Sequence, residues 1–162
     1  MEKELAIITG ADGGMGQVIT AALAKEGYPV IMACLDPEKA VPVCTRIQQE
    51  TGNTQIEVRR IDLASLSSVN NFTGQLLKEG RPVSRLMNNA GICHREPFLE
   101  CSKEGWLDVM ATNLNGEFYV GQAVARTMVE LGVKGYIVNT SSNSSRKTIG
   151  GITPYGPSKA AV

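Results

Sequence analysis

The amino-acid sequence predicts an α/β fold in three layers, a doubly wound parallel sheet with helices on both faces. Short apolar segments of strand length alternate with longer amphipathic segments of helical spacing throughout the 162 residues. This alternation is typical of parallel strands joined by right-handed helical crossovers. No repeat, linker or low-complexity stretch interrupts the pattern, so we expect one domain over residues 1–162.

The first half of the chain predicts three strand–helix units. Asp36 and Pro37 begin the second helix, because Asp caps a helix N-terminus and Pro fits the first helical position. Gly27 and Gly52 end the first and second helices. We expect strands at residues 5–9, 29–34 and 56–63, and helices at residues 17–27, 36–52 and 65–80.

The second half of the chain predicts two more strands and two more helices. Ser102 can cap a long helix that reaches about Gly132. Thr153 and Pro154 repeat the cap-and-proline start for a last helix, which is too short to be stable without tertiary contacts. The expected strands cover residues 84–91, where the segment runs into a loop, and residues 135–142.

Composition and charge narrow the possible functions. Lys and Arg number 16 and Asp and Glu number 16, so the net charge is zero. This balance gives no reason to expect nucleic acid or an anionic membrane as a partner. No apolar run approaches the roughly 20 residues that a membrane-spanning helix needs.

The four cysteines form no C-x-x-C pair, and the single histidine, His94, follows Cys93. A zinc site needs more ligands at closer spacing. We therefore expect no metal site, and we expect free thiols in a reducing cytoplasm.

A glycine-rich turn follows the first strand, with Gly10, Gly14 and Gly16 in the segment TGADGGMG. Where a strand turns into a helix, glycines let a pyrophosphate approach the free N–H groups at the helix N-terminus. No Lys-Ser or Lys-Thr pair follows the last glycine, so the segment is not a P-loop. The alternative is a tight turn that needs glycine for its backbone alone, and the flanking strand and helix favour the phosphate site.

Acidic residues near the ends of the second and third strands are candidates for contact with a nucleotide. An acid at the end of the second strand of such a sheet binds the adenosine ribose, and Asp36 lies near this point. Asp36 can equally serve only as a helix cap. Asp62 can likewise either contact the adenine end of a nucleotide or serve only as a helix cap. Asn88–Gly91 ends the fourth strand in a loop where backbone can pass close to a ligand.

Tyr155 and Lys159 are four residues apart, which places them on one face of the last helix. A lysine ammonium about 4–5 Å from a phenol, at an effective dielectric constant of about 20, favours the phenolate by roughly 3–4 kcal/mol. This corresponds to between two and three pKa units, which brings tyrosine within the range of an acid–base catalyst at neutral pH. The spacing of Tyr155 and Lys159 indicates a catalytic pair only together with the other motifs.

Taken in order, the motifs resemble those of the short-chain dehydrogenase/reductase family, whose members have a Rossmann-like fold and bind NAD or NADP. The resemblance covers the whole chain. It rests on TGADGGMG at Thr9–Gly16, DL at Asp62, NNAG at Asn88–Gly91, NLNG at Asn113–Gly116, SS ending at Ser142, and YGPSK at Tyr155–Lys159.

The resemblance implies an oxidoreductase that transfers a hydride between a nicotinamide dinucleotide and a carbonyl or alcohol substrate. Tyr155 would exchange a proton with the substrate oxygen, Ser142 would hydrogen-bond that oxygen, and Lys159 would lower the pKa of Tyr155 and bind the nicotinamide ribose. Asn113 would hold a water in a proton relay behind Lys159. The implied cofactor-binding residues are Thr9, Gly10, Asp12, Gly14, Met15, Gly16, Leu35, Asp36, Asp62, Leu63, Asn89, Ala90, Gly91, Tyr155 and Lys159.

The resemblance also favours NAD over NADP as the cofactor. NADP-using relatives carry an arginine where this chain has Leu35, and NAD-using relatives carry an acid where it has Cys34. Neither marker is present, but Asp12 and Asp36 would repel a 2′-phosphate. Two loop residues after NNAG, His94 and Arg95, are expected to be solvated rather than part of the substrate pocket.

Members of the family continue past the tyrosine helix with two further strands and a specificity loop between them. We therefore expect this chain to be part of a longer enzyme, with strands one to five present and the last strands missing. The alternative function is that of a catalytically incompetent nucleotide-binding fragment. We expect a homodimer or homotetramer for the full-length protein through the long helix and the tyrosine helix, but not for this chain.

Overall fold

A computed structural model describes residues 3–147 and 150–162. Its five strands form one parallel sheet with the order β3-β2-β1-β4-β5, so the strand order reverses between β1 and β4. The strands are β1 Leu5–Thr9, β2 Val30–Cys34, β3 Ile56–Arg60, β4 Val83–Asn88 and β5 Tyr136–Asn139. The helices are α1 Gly14–Lys25, α2 Pro37–Thr51, α3 Leu66–Glu79, α4 Lys103–Met110, α5 Glu117–Glu130 and α6 Tyr155–Ala160, with a π-helical turn at Ala111–Gly116 between α4 and α5.

Each face of the sheet has its own hydrophobic core, which confirms the predicted three-layer α/β fold. Because side chains alternate along a strand, Ile7 of β1 packs with Phe72 of α3 and Val120 of α5. Its neighbour Ile8 faces the other way and packs with Ile47 of α2 and with the rest of the core under α1 and α2.

The predicted helix caps are confirmed for α2 and α4, and α3 has a cap that the sequence analysis did not predict. The Asp36 carboxylate accepts hydrogen bonds from the N–H groups of Glu38 and Lys39, at 3.1 and 3.3 Å. Ser65 and Ser102 cap α3 and α4 in the same way. The predicted cap of the last helix is wrong, because its N-cap is Pro154 and no side chain caps it. The backbone N–H of Thr153 donates to the Glu96 carbonyl.

Three element boundaries differ from the prediction for identifiable reasons. Helix α1 begins at Gly14 rather than residue 17, since glycine gives no helical signal in sequence. Strand β3 ends at Arg60 because the Asp62 carboxylate accepts from the Ala64 N–H and turns the chain. The single long helix predicted after Ser102 is divided by the π-helical turn, which contains Asn113.

Strand β5 lies at an edge of the sheet and pairs only with β4. All four of its residues are exposed, including Tyr136, Ile137 and Val138. Over the described residues, no helix combines the length and the apolar character needed to cross a membrane.

The close packing of Gly16 gives a test of this fold. A Cβ at Gly16 would lie 2.2 Å from the Gly10 carbonyl oxygen and 2.8 Å from Ala11 Cα, whereas a Cβ at Gly14 would meet nothing within 4 Å. We therefore expect Gly16→Ala to lower the free energy of unfolding by about 1–3 kcal/mol, measured by urea denaturation. Gly14→Ala, the matched control, is expected to leave it unchanged or slightly higher. Equal effects of the two variants would contradict this packing.

Candidate active site

A groove of about 900 Å³ lies at the carboxyl edge of the sheet, where ligands bind in open α/β sheets whose strand order reverses. Of the residues that the sequence predicts for the site, Thr9, Gly16, Asn113 and Ser142 do not line the groove. The groove does bring together Gly10, Asp12, Gly14, Met15, Leu35, Asp36, Asp62, Leu63, Asn89, Ala90, Gly91, Tyr155 and Lys159.

The glycine turn presents the start of α1 to this groove. Gly10 has φ +61°, and a Cβ on it would lie 2.8 Å from Ala90 Cα, so only glycine fits. Among the described residues, no side chain caps α1 at Gly13, and the first turn of the helix contains no acid. The free N–H groups of the first helical turn and the positive end of the helix dipole therefore suit an anionic group at Gly14 and Met15.

Thr9 and Asn89 join the ends of β1 and β4 below the groove. The Thr9 hydroxyl accepts hydrogen bonds from the N–H groups of Asn89 and Ala90, at 3.0 and 3.1 Å. The Asn89 amide in turn donates to the carbonyls of Thr9 and Gly10. Thr9 is buried, so its role in the structure is to fix the glycine turn against the loop after β4.

The two candidate acids are held in local structure. Asp36 caps α2, and the Lys39 ammonium, 3.0 Å away, holds the pKa of the Asp36 carboxyl below its usual range. Asp62 closes a turn through the Ala64 N–H at 3.0 Å and does not cap α3, which Ser65 caps. Both acids also line the groove, so their carboxylates border any ligand in it.

Tyr155 and Lys159 lie on α6 and reach the groove from the β5 side. Lys159 is only 3% exposed. Its ammonium donates to the Thr140 carbonyl at 2.7 Å and lies 4.0 Å from a carboxylate oxygen of Glu117. Burial lowers the pKa of Lys159, and the Glu117 carboxylate opposes that shift.

The Asn113 side chain holds the loop after β4 against α6. Its oxygen accepts from the Ile92 N–H at 2.8 Å, and its amide donates to the Ile92 carbonyl and to the Ser158 hydroxyl. The π-helical turn places this fully buried amide at the contact. The side chain is thus engaged by protein groups rather than directed at Lys159.

Ser142 follows β5 and caps the short 3₁₀ turn Asn143–Ser145. Its hydroxyl oxygen accepts from the Ser144 N–H at 3.1 Å. The hydroxyl proton takes no part in this contact and can be donated to another group. Its neighbour Ser141 lines the groove and donates to the Lys159 carbonyl.

Sequence reasoning missed several groups in or behind the groove. His94 is a loop residue with 40% of its side chain exposed, and it also lines the groove and is hydrogen-bonded to the Asp108 carboxylate at 2.7 Å, while Arg95 is exposed as expected. Glu117 is buried behind Lys159. Its one signal in sequence is a charged residue four positions after Asn113, on the same helical face.

The described part of the chain contains no group of three or more His, Cys, Asp or Glu side chains that is placed to hold a metal ion. The four cysteines are free thiols. Cys34, beside the groove at the end of β2, is buried, and burial raises the pKa of its thiol to about 12. This thiol is therefore protonated and unreactive at neutral pH.

The relatives found by comparison with known proteins include dehydrogenases and a ketoreductase. Gluconate 5-dehydrogenase of Gluconobacter oxydans is 35% identical over 157 residues, which are 97% of this chain and 60% of that protein. Actinorhodin polyketide ketoreductase, solved with NADPH, is 32% identical with a TM-score of 0.89, and the match covers 98% of this chain and 60% of that one. Xylitol dehydrogenase, solved with NAD⁺, is 27% identical with a TM-score of 0.86 over 98% and 60% of the two chains.

The chain thus spans about 60% of the length of these relatives. A family model described as short chain dehydrogenase matches residues 4–162. This match covers the glycine turn, the loop after β4 and the tyrosine helix, which meet in the groove. The chain belongs to the short-chain dehydrogenase family.

Proposed function

We propose that this chain provides the dinucleotide-binding groove and the acid–base tyrosine of an oxidoreductase that acts on a carbonyl or alcohol substrate. The observation that carries the proposal is the meeting of two distant motifs in one groove, the glycine turn at Gly10–Gly16 and the Tyr155–Lys159 pair. Membership of the family and the names of the dehydrogenase and reductase relatives support it.

The residues at the start of α1 fit a dinucleotide. The uncapped N-terminus of α1 suits the pyrophosphate, and the absence of a side chain at Gly14, where a Cβ would meet nothing within 4 Å, leaves room for close approach. Asp36 would hold the adenosine ribose, and Tyr155 and Lys159 would hold the nicotinamide end. The dinucleotide, when bound, supplies or accepts the hydride.

The chain's own residues handle the proton. In the reducing direction, the Tyr155 hydroxyl gives its proton to the substrate oxygen, and in the oxidising direction the phenolate takes it back. The Lys159 ammonium lies in the same groove, where it would bind the nicotinamide ribose. The Ser142 hydroxyl donates to the substrate oxygen and stabilises its negative charge, while Asn113 positions α6 against the loop after β4.

We propose NAD rather than NADP as the cofactor. Leu35 is 63% exposed at the end of β2 and offers no charge to a 2′-phosphate. Lys39, the one cation among the described residues that line this part of the groove, is paired with Asp36 at 3.0 Å. The solved neighbours include chains bound to NADPH and to NAD⁺, so their ligands favour neither.

We further propose a reducing, cytoplasmic location, because Cys34, Cys44, Cys93 and Cys101 are all unpaired. For the full-length protein we propose a homodimer or homotetramer.

Cofactor preference is tested by calorimetric titration with NADH and NADPH. We expect the wild-type chain to bind NADH more tightly. Leu35→Arg should improve NADPH affinity by about tenfold, because it adds a charge-assisted hydrogen bond to the 2′-phosphate. Leu77→Arg, an exposed leucine outside the groove, adds the same charge and should change neither affinity. Tighter binding of NADPH by the wild type would contradict the NAD proposal.

The role of Tyr155 is tested by Tyr155→Phe, with NADH oxidation measured against a panel of ketones and NAD⁺ reduction measured against alcohols that include gluconate. We expect turnover to fall by about 10²–10⁴-fold, since the acid–base group is lost. NADH affinity should stay within about twofold, because the ring is retained. Tyr136→Phe, on the exposed edge strand, is the control. Turnover that is equal in Tyr155→Phe and the wild type would refute the assignment.

A second candidate function is dinucleotide binding without hydride transfer. The exposed β5 edge favours it, because all four residues of the strand that leads to Ser142 are open to solvent. Saturable NADH binding by the wild-type chain, with no turnover on any alcohol or ketone tested, would distinguish this candidate from the first.

A further inference from the structure

Glu117 is a buried carboxylate that the proposed chemistry does not use. It begins α5, four residues after Asn113, and is 6% exposed. Within the described residues, neither of its carboxylate oxygens has a hydrogen-bond partner. Burying a carboxylate without hydrogen bonds costs free energy. The role of Glu117 therefore depends on the positive charge that compensates its carboxylate.

That charge is the ammonium of Lys159, whose nitrogen lies 4.0 Å from Glu117 Oε2. The ammonium is fixed on two other sides. It donates to the Thr140 carbonyl at 2.7 Å, and the backbone of Gly91 packs against it so closely that a Cβ there would lie 3.6 Å from Nζ. The Glu117 carboxylate is therefore one of three groups that surround this ammonium.

The remaining titratable groups near the ammonium do not substitute for Glu117. Tyr155 lies on the same helix as Lys159, and His94 and Asp108 are paired with each other in the groove. The groups contributed by β4, by the π-helical turn and by the loop after β5 are neutral amides and carbonyls. Burial lowers the pKa of Lys159, and Glu117 is the charge that raises it.

We propose that Glu117 is a positioning residue for the oxidoreduction: its buried carboxylate keeps Lys159 in the ammonium form and holds that ammonium against the Thr140 carbonyl beside the groove. The inference rests on the proposed function, since Lys159 is one of the site residues there. The dependence is reciprocal: burial raises the pKa of the Glu117 carboxyl, and the Lys159 ammonium opposes that rise. In each group burial favours the neutral form, and the charge of the other group opposes that shift.

The test is a pH titration of the Lys159 side chain by NMR in the wild type and in Glu117→Gln, with lysines labelled at the ε-carbon. The Lys159 signal is assigned by its loss in Lys159→Met. Because Gln keeps the shape and removes the charge, we expect the pKa of Lys159 to fall by about 1–3 units. Glu130→Gln, an exposed glutamate on the same helix, is the control and should leave it unchanged. An equal Lys159 pKa in Glu117→Gln and the wild type would overturn the proposal.

A purely structural glutamate would alter the melting temperature without moving the lysine pKa. If Glu117→Gln does not fold, the reciprocal measurement decides: the pKa of Glu117, followed at its labelled carboxyl carbon, should rise in Lys159→Met, and an unchanged value would also overturn the proposal. Both titrations work without turnover, so they are independent of the proposed function. In an active enzyme, the alkaline limb of the pH profile should move to lower pH in Glu117→Gln by the same amount as the lysine pKa.

Discussion

The hydrogen bonds between Thr9 and Asn89 are the contact on which the rest of the site depends. They join β1 to the end of β4 where the strand order reverses. They also bring the backbone of Gly10 so close to Ala90 that no side chain fits between them. The glycine turn is thereby fixed beside the loop after β4, and the open first turn of α1 faces the groove rather than solvent alone.

A second set of contacts carries this arrangement to the acid–base residues. Asn113 links the backbone of Ile92 to Ser158, which in turn donates to the Tyr155 carbonyl. The helix with the tyrosine is therefore fixed to the same loop as the glycine turn. Lys159 also contacts this region, through the Thr140 carbonyl. Its ammonium is buried, and a buried ammonium without an opposing charge loses its proton more readily. A nearby carboxylate therefore has a physical role at this position.

Much of the fold could be predicted from the sequence, because short-range sequence patterns determine its strands and helix caps. Strand β1 and the Asp36 cap of α2 follow from apolar runs and capping chemistry, and both are confirmed. The π-helical turn could not be predicted, because it accompanies a bond between Asn113 and the distant Ile92 backbone. The sequence predicts Thr153 as a cap, but the helix begins after Pro154, and a tertiary contact joins the Thr153 N–H to the Glu96 carbonyl. Glu117 was missed for the same reason, since only the tertiary fold brings it to Lys159.

Amide hydrogen exchange of this chain with and without saturating NADH tests whether the groove at the reversal between β1 and β4 binds the dinucleotide. We expect slower exchange in three separate segments together, residues 10–16, 89–92 and 155–159, because the ligand would contact all of them. Unchanged exchange in the glycine turn, or protection confined to segments outside the groove, would contradict it.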